Sequence, residues 1–227
     1  EPLKMRRLAD IFSVDVASIH SMWLLHSVPG QEERSGREVL PLAEEILSHA
    51  CNTLVVDHYE GDLVIFMDWA ETAPGAASMA EAFCGQLRAV GSEAILTICQ
   101  DLPTTADVRR AYLTIRDSLE DAVRIWPGRR YYTLQEMTFA QTCRETVDQG
   151  EEAIARAVSP LVSLQRHREG AELVRTPQVY LLDSGSSVAQ SAELLFLHKN
   201  TVKYRMQQIN GRLGHPAGKL PEMFALY

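Results

Sequence analysis

Twenty residues near the C-terminus, from Ser187 to Met206, constrain the fold of this chain more than any other stretch. Ser187 followed three residues later by Gln190 is a capping box, which predicts a helix that starts there and runs to about Leu195. The next three residues predict a tight turn, and a second helix is predicted to begin near Lys199. Two short helices joined by such a turn form a helix-turn-helix, whose second helix lies in the DNA major groove.

The second predicted helix has one apolar face and one polar face. Four apolar residues recur at helical spacing and predict its buried stripe: Val202, Met206, Ile209 and Leu213. The opposite face is predicted to present Lys199, Asn200, Lys203, Tyr204 and Gln207. Lysine, asparagine and glutamine carry the donors and acceptors that match base edges and phosphates in DNA. By spacing alone, an ordinary helical hairpin with a solvated charged face explains this pattern equally well.

The residue types in this segment are more specific than the spacing of its apolar residues. The stretch from Ala192 to Met206 resembles the signature of the PucR/CdaR family of bacterial transcriptional regulators, A-x-x-L-x-[hydrophobic]-H-[RK]-N-T-[hydrophobic]-x-Y-R-[hydrophobic]. The core of the signature is matched by His198, Lys199, Asn200, Thr201, Tyr204 and Arg205. Residues 157–161 are also similar to the family's segment between its two domains. The resemblance covers about residues 15–227, but only the last part rests on specific residues.

This resemblance implies a DNA-binding regulator, often an activator, of catabolic operons for purines, sugar diacids and related nutrients. The residues expected to bind double-stranded DNA are His198, Lys199, Asn200, Thr201, Lys203, Tyr204, Arg205 and Gln207. We expect Lys199, Asn200 and Lys203 to face the major groove. Arg205 and His198 are expected either to contact phosphate or to brace the turn. A single module has a modest footprint, so we expect a homodimer or higher homo-oligomer on paired half-sites.

A competing interpretation is a ligand-binding or protein-interaction module whose C-terminal helices serve only for dimerisation. Because the chain begins at Glu1 rather than Met, we also expect an upstream sensor domain that could bind a small-molecule effector. Retention on heparin and a gel shift would separate the DNA-binding interpretation from its competitor.

The apolar pattern between residues 18 and 133 predicts the order β-α-β-β-α-β-α-β. This order indicates an α+β fold of the ferredoxin-like or nucleotidyl-cyclase-like kind, with helices on one face of a mostly antiparallel sheet. Four segments are expected: a linker helix at 1–17, the α+β domain at 18–133, a helical connector at 134–175 and the helix-turn-helix domain at 176–227. The resemblance implies that the α+β domain is a degenerate GGDEF-like domain used for dimerisation or signal transmission.

Two prolines are predicted to mark helix boundaries in the helical part. Pro160 lacks the N–H that a continuing helix would use, so it is predicted to interrupt the helix that starts at Glu151. Thr176 and Pro177 are predicted to be the N-cap and first residue of the next helix, a turn later than is usual in the family. Gly185 is predicted to close that helix in the left-handed conformation.

A predicted hairpin occupies the place where a diguanylate cyclase carries its G-G-[DE]-E-F motif. The aligned residues are Glu60, Gly61, Asp62, Leu63 and Val64. A cyclase needs a glycine where Glu60 stands and a second carboxylate for its metal ions, which Leu63 cannot supply. The sequence also has no Walker loop and no H-E-x-x-H or G-x-S-x-G motif. We therefore expect no enzyme, and assign no catalytic, cofactor-binding or metal-ligating residue.

Composition agrees with a regulator that meets DNA with one end. The net charge is −8, yet residues 176–227 carry five Lys/Arg against three Asp/Glu, a surplus of positive charge. An acidic body with a basic end suits a protein that binds phosphate through one face only. No apolar run is long enough to span a bilayer, and the four widely spaced cysteines are typical of free thiols in a reducing cytoplasm. A cytoplasmic location is expected.

Overall fold

A computed structural model describes residues 20–26, 32–69, 75–214 and 216–217. The chain divides into two compact units, Glu1–Arg144 and Glu145–Tyr227, which are described separately below. The predicted linker helix at 1–17 and a predicted short C-terminal turn at 220–227 lie outside the described residues.

The first unit is an α+β fold built on a mixed sheet of five strands. Its elements in chain order are β1 Ser21–His26, α1 Glu32–Leu47, β2 Cys51–Tyr59, β3 Asp62–Trp69, α2 Ala76–Ala89, β4 Ile95–Cys99, α3 Thr105–Ile125, β5 Tyr131–Thr133 and α4 Leu134–Asp148. This is the predicted order of strands and helices, so the α+β prediction is confirmed. Helix α4 runs four residues beyond the boundary of the unit.

The strands are arranged in the order β2-β3-β1-β4-β5. Every neighbouring pair is antiparallel except β4 and β5, which are parallel. The first four strands therefore form the split βαβ arrangement of ferredoxin-like folds, and β5 extends it at one edge. Strand β1 is central, and its Trp23 is opposite Ile65 of β3 on one side and Ile98 of β4 on the other.

The core of this unit is centred on the Trp23 side chain. Trp23 is fully buried, and its ring centroid lies 5.6 Å from that of Trp69 and 6.0 Å from that of Phe83. Apolar residues from α1 and α2, including Ala43 and Leu87, complete the cluster on the same face of the sheet. Large aromatic side chains bury much apolar area for little conformational entropy, and this gives a small sheet a stable centre.

The prediction that only one face of the sheet is covered is wrong for its central strand. All six residues of β1 are buried, including Met22 and Leu24, which point away from the face that carries Trp23. The physical reason lies in the sequence of β1, in which apolar residues are continuous instead of alternating with polar ones. A continuous apolar strand is typical of a sheet that is covered on both faces.

The hairpin between β2 and β3 has a two-residue turn made by Glu60 and Gly61. Both residues have positive φ, 51° and 93°, as a type I′ turn requires. The Glu60 carboxylate accepts a hydrogen bond from the Tyr112 hydroxyl at 3.2 Å and lies 3.4 Å from the Arg116 guanidinium, both on α3. The predicted hairpin is therefore confirmed, and its tip is bonded to a helix of its own unit.

The second unit is entirely helical over its described residues. It consists of α5 Glu151–Gln165, α6 Gly170–Gln178, a π-helical turn Val179–Asp183, α7 Val188–Leu194 and α8 Lys199–Leu213. The junction of α5 and α6 requires a glycine, because a Cβ at Gly170 would overlap the backbone carbonyl of Gln165. The predicted left-handed conformation of Gly185 is confirmed, with φ 53°.

Both predicted proline boundaries are wrong. Helix α5 continues through Pro160, whose missing N–H would otherwise bond the Arg156 carbonyl. That carbonyl instead accepts a hydrogen bond of 2.8 Å from the Ser159 hydroxyl, which removes the need for a break. Thr176 and Pro177 lie inside α6 near its end, and the Thr176 hydroxyl donates to the carbonyl of Glu172 at 2.7 Å. Thr176 therefore bonds within the helix instead of capping it.

The structure gives a prediction for thiol chemistry. All four cysteines are free, and burial raises the pKa of the Cys99 thiol to about 12 and the pKa values of Cys51 and Cys84 to about 11. A raised pKa leaves little thiolate near neutral pH, and the thiolate is the reactive species. We expect these three thiols to react with a disulfide reagent at pH 8 more slowly than free cysteine by a factor of roughly 100 or more, and Cys99 to be the slowest. The same reagent should titrate four thiols rapidly once guanidinium unfolds the chain. Fast labelling of the three thiols in the native protein would contradict this prediction.

Candidate nucleic-acid interface

Helix α8 is held in place by an apolar stripe along one side. Val202 and Ile209 are fully buried, and Met206 is nearly so. They belong to a cluster that also contains Leu164, Leu173, Ala192 and Ala217. The cluster draws residues from α5, α6, α7 and α8 and from the chain after α8, so the position of α8 is fixed by most of its unit. The predicted stripe is confirmed at these three positions, and Leu213 is partly buried against the same cluster.

Helix α7 begins and ends where the sequence predicts. The Ser187 hydroxyl accepts a hydrogen bond of 3.3 Å from the backbone N–H of Gln190, which caps the helix. One turn into the helix, the buried Ser191 hydroxyl lies 2.7 Å from the hydroxyl of Ser184. This buried pair ties the start of α7 to the end of the preceding π-helical turn.

The turn between α7 and α8 is a Schellman motif. The Leu197 N–H donates to the Ala192 carbonyl at 2.8 Å, and the Phe196 N–H donates to the Glu193 carbonyl at 3.2 Å. Phe196 is the left-handed residue of the motif, with φ 55°. Leu197 packs inward against the apolar cluster, whereas the Phe196 side chain is 93% exposed.

His198 caps the N-terminus of α8. Its backbone is extended, and its Nδ1 atom accepts a hydrogen bond of 3.2 Å from the N–H of Asn200. Asparagine, aspartate, serine and threonine are the commoner N-caps, and the imidazole nitrogen here provides the same acceptor. The structure therefore gives His198 a bracing role at the start of the helix, and its side chain is also exposed.

The polar face of α8 is open to solvent. Its exposed residues are Lys199, Asn200, Lys203, Tyr204 and Gln207, and Thr201 is half-buried. Tyr204 is 60% exposed, and its hydroxyl accepts a hydrogen bond of 2.9 Å from the Gln208 amide. Lys199, Lys203 and Gln207 follow one another at intervals of four residues and thus lie on one side of the helix. The structure places the five residues predicted for this face together on an exposed surface.

Arg205 is more buried than the five exposed residues of α8 and is already paired within the protein. Its guanidinium donates to the Glu172 carboxylate of α6 at 2.8 Å, and its side chain is only 17% exposed. The sequence predicts that Arg205 either contacts phosphate or braces the turn, and its bond to Glu172 corresponds to a bracing role. Glu172 could not be predicted as the partner of Arg205, because an ion pair between two helices leaves no spacing pattern in the sequence.

All charged residues of α8 are positive. The helix contains Lys199, Lys203, Arg205 and Arg212 and has no acidic residue, in a chain whose net charge is −8. With Arg205 neutralised by Glu172, the two lysines are the positive charges on the exposed face defined above. Exposed lysines beside amide and hydroxyl groups can bind phosphates and base edges, as DNA recognition requires.

Comparison with known proteins agrees with this geometry. Residues 173–227 match the sequence model of the PucR C-terminal helix-turn-helix domain. The C-terminal segment is a PucR-type helix-turn-helix domain. Its presence supports a DNA-binding transcriptional regulator, and the family resemblance read from the signature is confirmed for this segment. No curated protein matches the chain.

Among the solved structures that are similar to this chain is a regulator of polyketide synthase expression from Bifidobacterium adolescentis. Its sequence is 17% identical, the match covers 97% of this chain and 82% of that one, and the TM-score is 0.42.

The part of the chain that the structure describes has neither a candidate metal site nor a candidate membrane-spanning helix. No group of three or more His, Cys, Asp or Glu side chains there could hold a metal ion. Across the same residues, no helix is both long enough and apolar enough to cross a membrane.

The backbone conformation of Phe196 gives a stability prediction. A left-handed conformation costs a residue with a Cβ about 1–2 kcal/mol, and the exposed ring offsets little of this by packing. Phe196→Gly should therefore raise the free energy of unfolding by about 1 kcal/mol, after the extra freedom of glycine in the unfolded chain is subtracted. Urea denaturation followed by circular dichroism measures this change.

Gly214 supplies the matched control. It ends α8 with φ 78°, and a Cβ there would meet no atom within 4 Å. Gly214→Ala should lower the free energy of unfolding by about 1 kcal/mol for the same conformational reason, with no steric contribution. A loss of stability in Phe196→Gly would show that the ring makes stabilising contacts and would refute the prediction.

Proposed function

We propose that the protein binds operator DNA by laying the exposed face of α8 in the major groove. The observation that carries the proposal is the joint placement of Lys199, Asn200, Lys203 and Gln207 on a helix seated firmly by its opposite side. Lysine contacts phosphates and guanine edges, and asparagine and glutamine pair with adenine. Tyr204 and Thr201 flank these groups, and His198 lies at the N-terminus of the helix, where phosphate binds well.

The roles of the two remaining basic groups differ in this proposal. Lys203 is exposed and neutralises a phosphate, whereas Arg205 positions α8 through Glu172. His198 positions the helix through its cap and can in addition donate to phosphate from its other ring nitrogen. These assignments separate groups that bind DNA from groups that hold the binding helix.

We further propose that the protein is a cytoplasmic regulator, an activator of a catabolic operon, and acts as a homodimer. The family signature supports the operon class and the activator role, and the small footprint of one helix supports two copies on paired half-sites. The sheet unit is proposed as a degenerate GGDEF-like domain that serves in dimerisation or in signal transmission from an upstream effector-binding domain. If the protein is an activator, transcripts of neighbouring genes should fall when its gene is deleted. If it were a repressor, the same deletion would raise those transcripts.

The first test concerns Lys203. Lys203→Ala should weaken operator binding and reduce the slope of log K against log salt by about 1, because one phosphate contact and its released counterion are lost. Fluorescence anisotropy at several salt concentrations measures both quantities. Arg156→Ala is the matched control, since it removes an exposed positive charge from α5, outside the helix-turn-helix. An unchanged slope in Lys203→Ala would remove Lys203 from the phosphate contacts.

The second test concerns Arg205. Arg205→Ala should leave the salt slope unchanged, because its charge is already paired with Glu172. It should lower the stability of the protein, and a double-mutant cycle with Glu172→Ala should give a coupling of about 0.2–1 kcal/mol for this partly exposed pair. A slope reduced by about 1 would instead assign Arg205 to a phosphate.

A further inference from the structure

Phe196 combines two unfavourable features in the free protein. It occupies the left-handed position of the turn before α8, where glycine is the usual residue. Its side chain is 93% exposed, so the ring gains almost nothing from burial in its own chain. Residues with backbone strain of this kind cluster at functional sites, where the strained conformation serves ligand binding or catalysis.

The surroundings of Phe196 indicate what kind of contact this is. Two residues later the chain reaches His198, and exposed Lys199 and Asn200 follow at the N-terminus of α8. The intervening residue, Leu197, packs inward. Phe196 is therefore an exposed side chain close in sequence to the cationic end of the proposed DNA-binding face, and only Leu197 and the exposed cap residue His198 lie between them.

A protein partner fits this surface less well. Among the described residues of α7 and the turn, the large exposed apolar side chains are Leu194 and Phe196. Two side chains fall far short of the roughly 1,000 Å² that a specific protein interface buries. Cationic and amide neighbours also favour a phosphate-bearing ligand over an apolar one.

We propose that the Phe196 ring packs against the apolar surface of a nucleotide at the edge of the operator half-site. This inference rests on the proposed function and adds a specific contact to it. A phenyl ring has no hydrogen-bonding group, so it can recognise only apolar parts of DNA. In an undistorted duplex, whose base faces are stacked on one another, the accessible apolar parts are the C5-methyl group of thymine in the major groove and the face of a deoxyribose. The contact contributes affinity without neutralising a phosphate.

The experiment compares wild-type protein with Phe196→Gly on one duplex, selected by the wild-type full chain from a random-sequence library. Anisotropy titrations should show binding weakened by about tenfold in Phe196→Gly. The salt slope should stay unchanged, in contrast to Lys203→Ala. Val158→Ala is the matched control, because Val158 is an exposed apolar residue of α5, outside the helix-turn-helix. Its affinity should equal that of the wild type.

Replacing each thymine of the duplex by deoxyuridine distinguishes the two apolar surfaces. If the ring contacts a methyl group, one replacement weakens wild-type binding and leaves Phe196→Gly binding unaffected. If the ring contacts a sugar, no thymine replacement weakens wild-type binding, and Phe196→Gly still binds the duplex more weakly than the wild type does. Either result supports the proposal.

Other results would overturn it. Equal affinity of wild type and Phe196→Gly would show that the ring does not touch DNA. A changed oligomeric state of Phe196→Gly by light scattering, with DNA affinity unaltered, would place the ring in a protein interface instead. Failure of the wild type to select any duplex would refute the proposed function itself, and that result is distinct from the first two. Circular dichroism of Phe196→Gly excludes misfolding as the cause of a lost affinity.

Discussion

The burial of one side of α8 is the interaction on which the rest of the helical unit depends. Val202, Met206 and Ile209 each remove most of an apolar side chain from water, worth about 1.5–3 kcal/mol apiece. Because the cluster takes residues from four helices, α8 cannot rotate without disturbing all of them. The polar face therefore has a fixed direction, and a recognition surface needs such rigidity to read one arrangement of groups.

Polar side chains of the helix-turn-helix divide into two groups by what they bond. One group bonds within the protein. Ser187 and His198 cap the N-termini of α7 and α8, and Arg205 bonds Glu172 of the neighbouring helix α6. Lys199 and Lys203 remain exposed. This division explains why several residues of one short signature are needed: some bind a ligand, and the others define the shape that presents them.

Much of this architecture could be predicted from the sequence, and the failures have identifiable physical causes. Periodic patterns and a cap predicted the order of the strands β1 to β5 and the start of α7 after Ser187, because these features are local. Pro160 misled because a neighbouring hydroxyl satisfies the carbonyl that a proline leaves free. The partnership of Arg205 with Glu172 and the seat of α8 on α5 and α6 depend on tertiary packing, which no window of sequence contains.

The attachment of the hairpin tip to α3 has a mechanical consequence for the sheet unit. Glu60 is bonded to Tyr112 and Arg116, and the Tyr59 ring lies edge-on to Tyr112 with a centroid separation of 5.3 Å. These contacts join the edge strand β2 to the long helix α3, which is distant from β2 in sequence. The free edge of the sheet is thus tethered to α3, and the edge strand can separate from this helix only if the hydrogen bond, the ion pair and the ring contact all break.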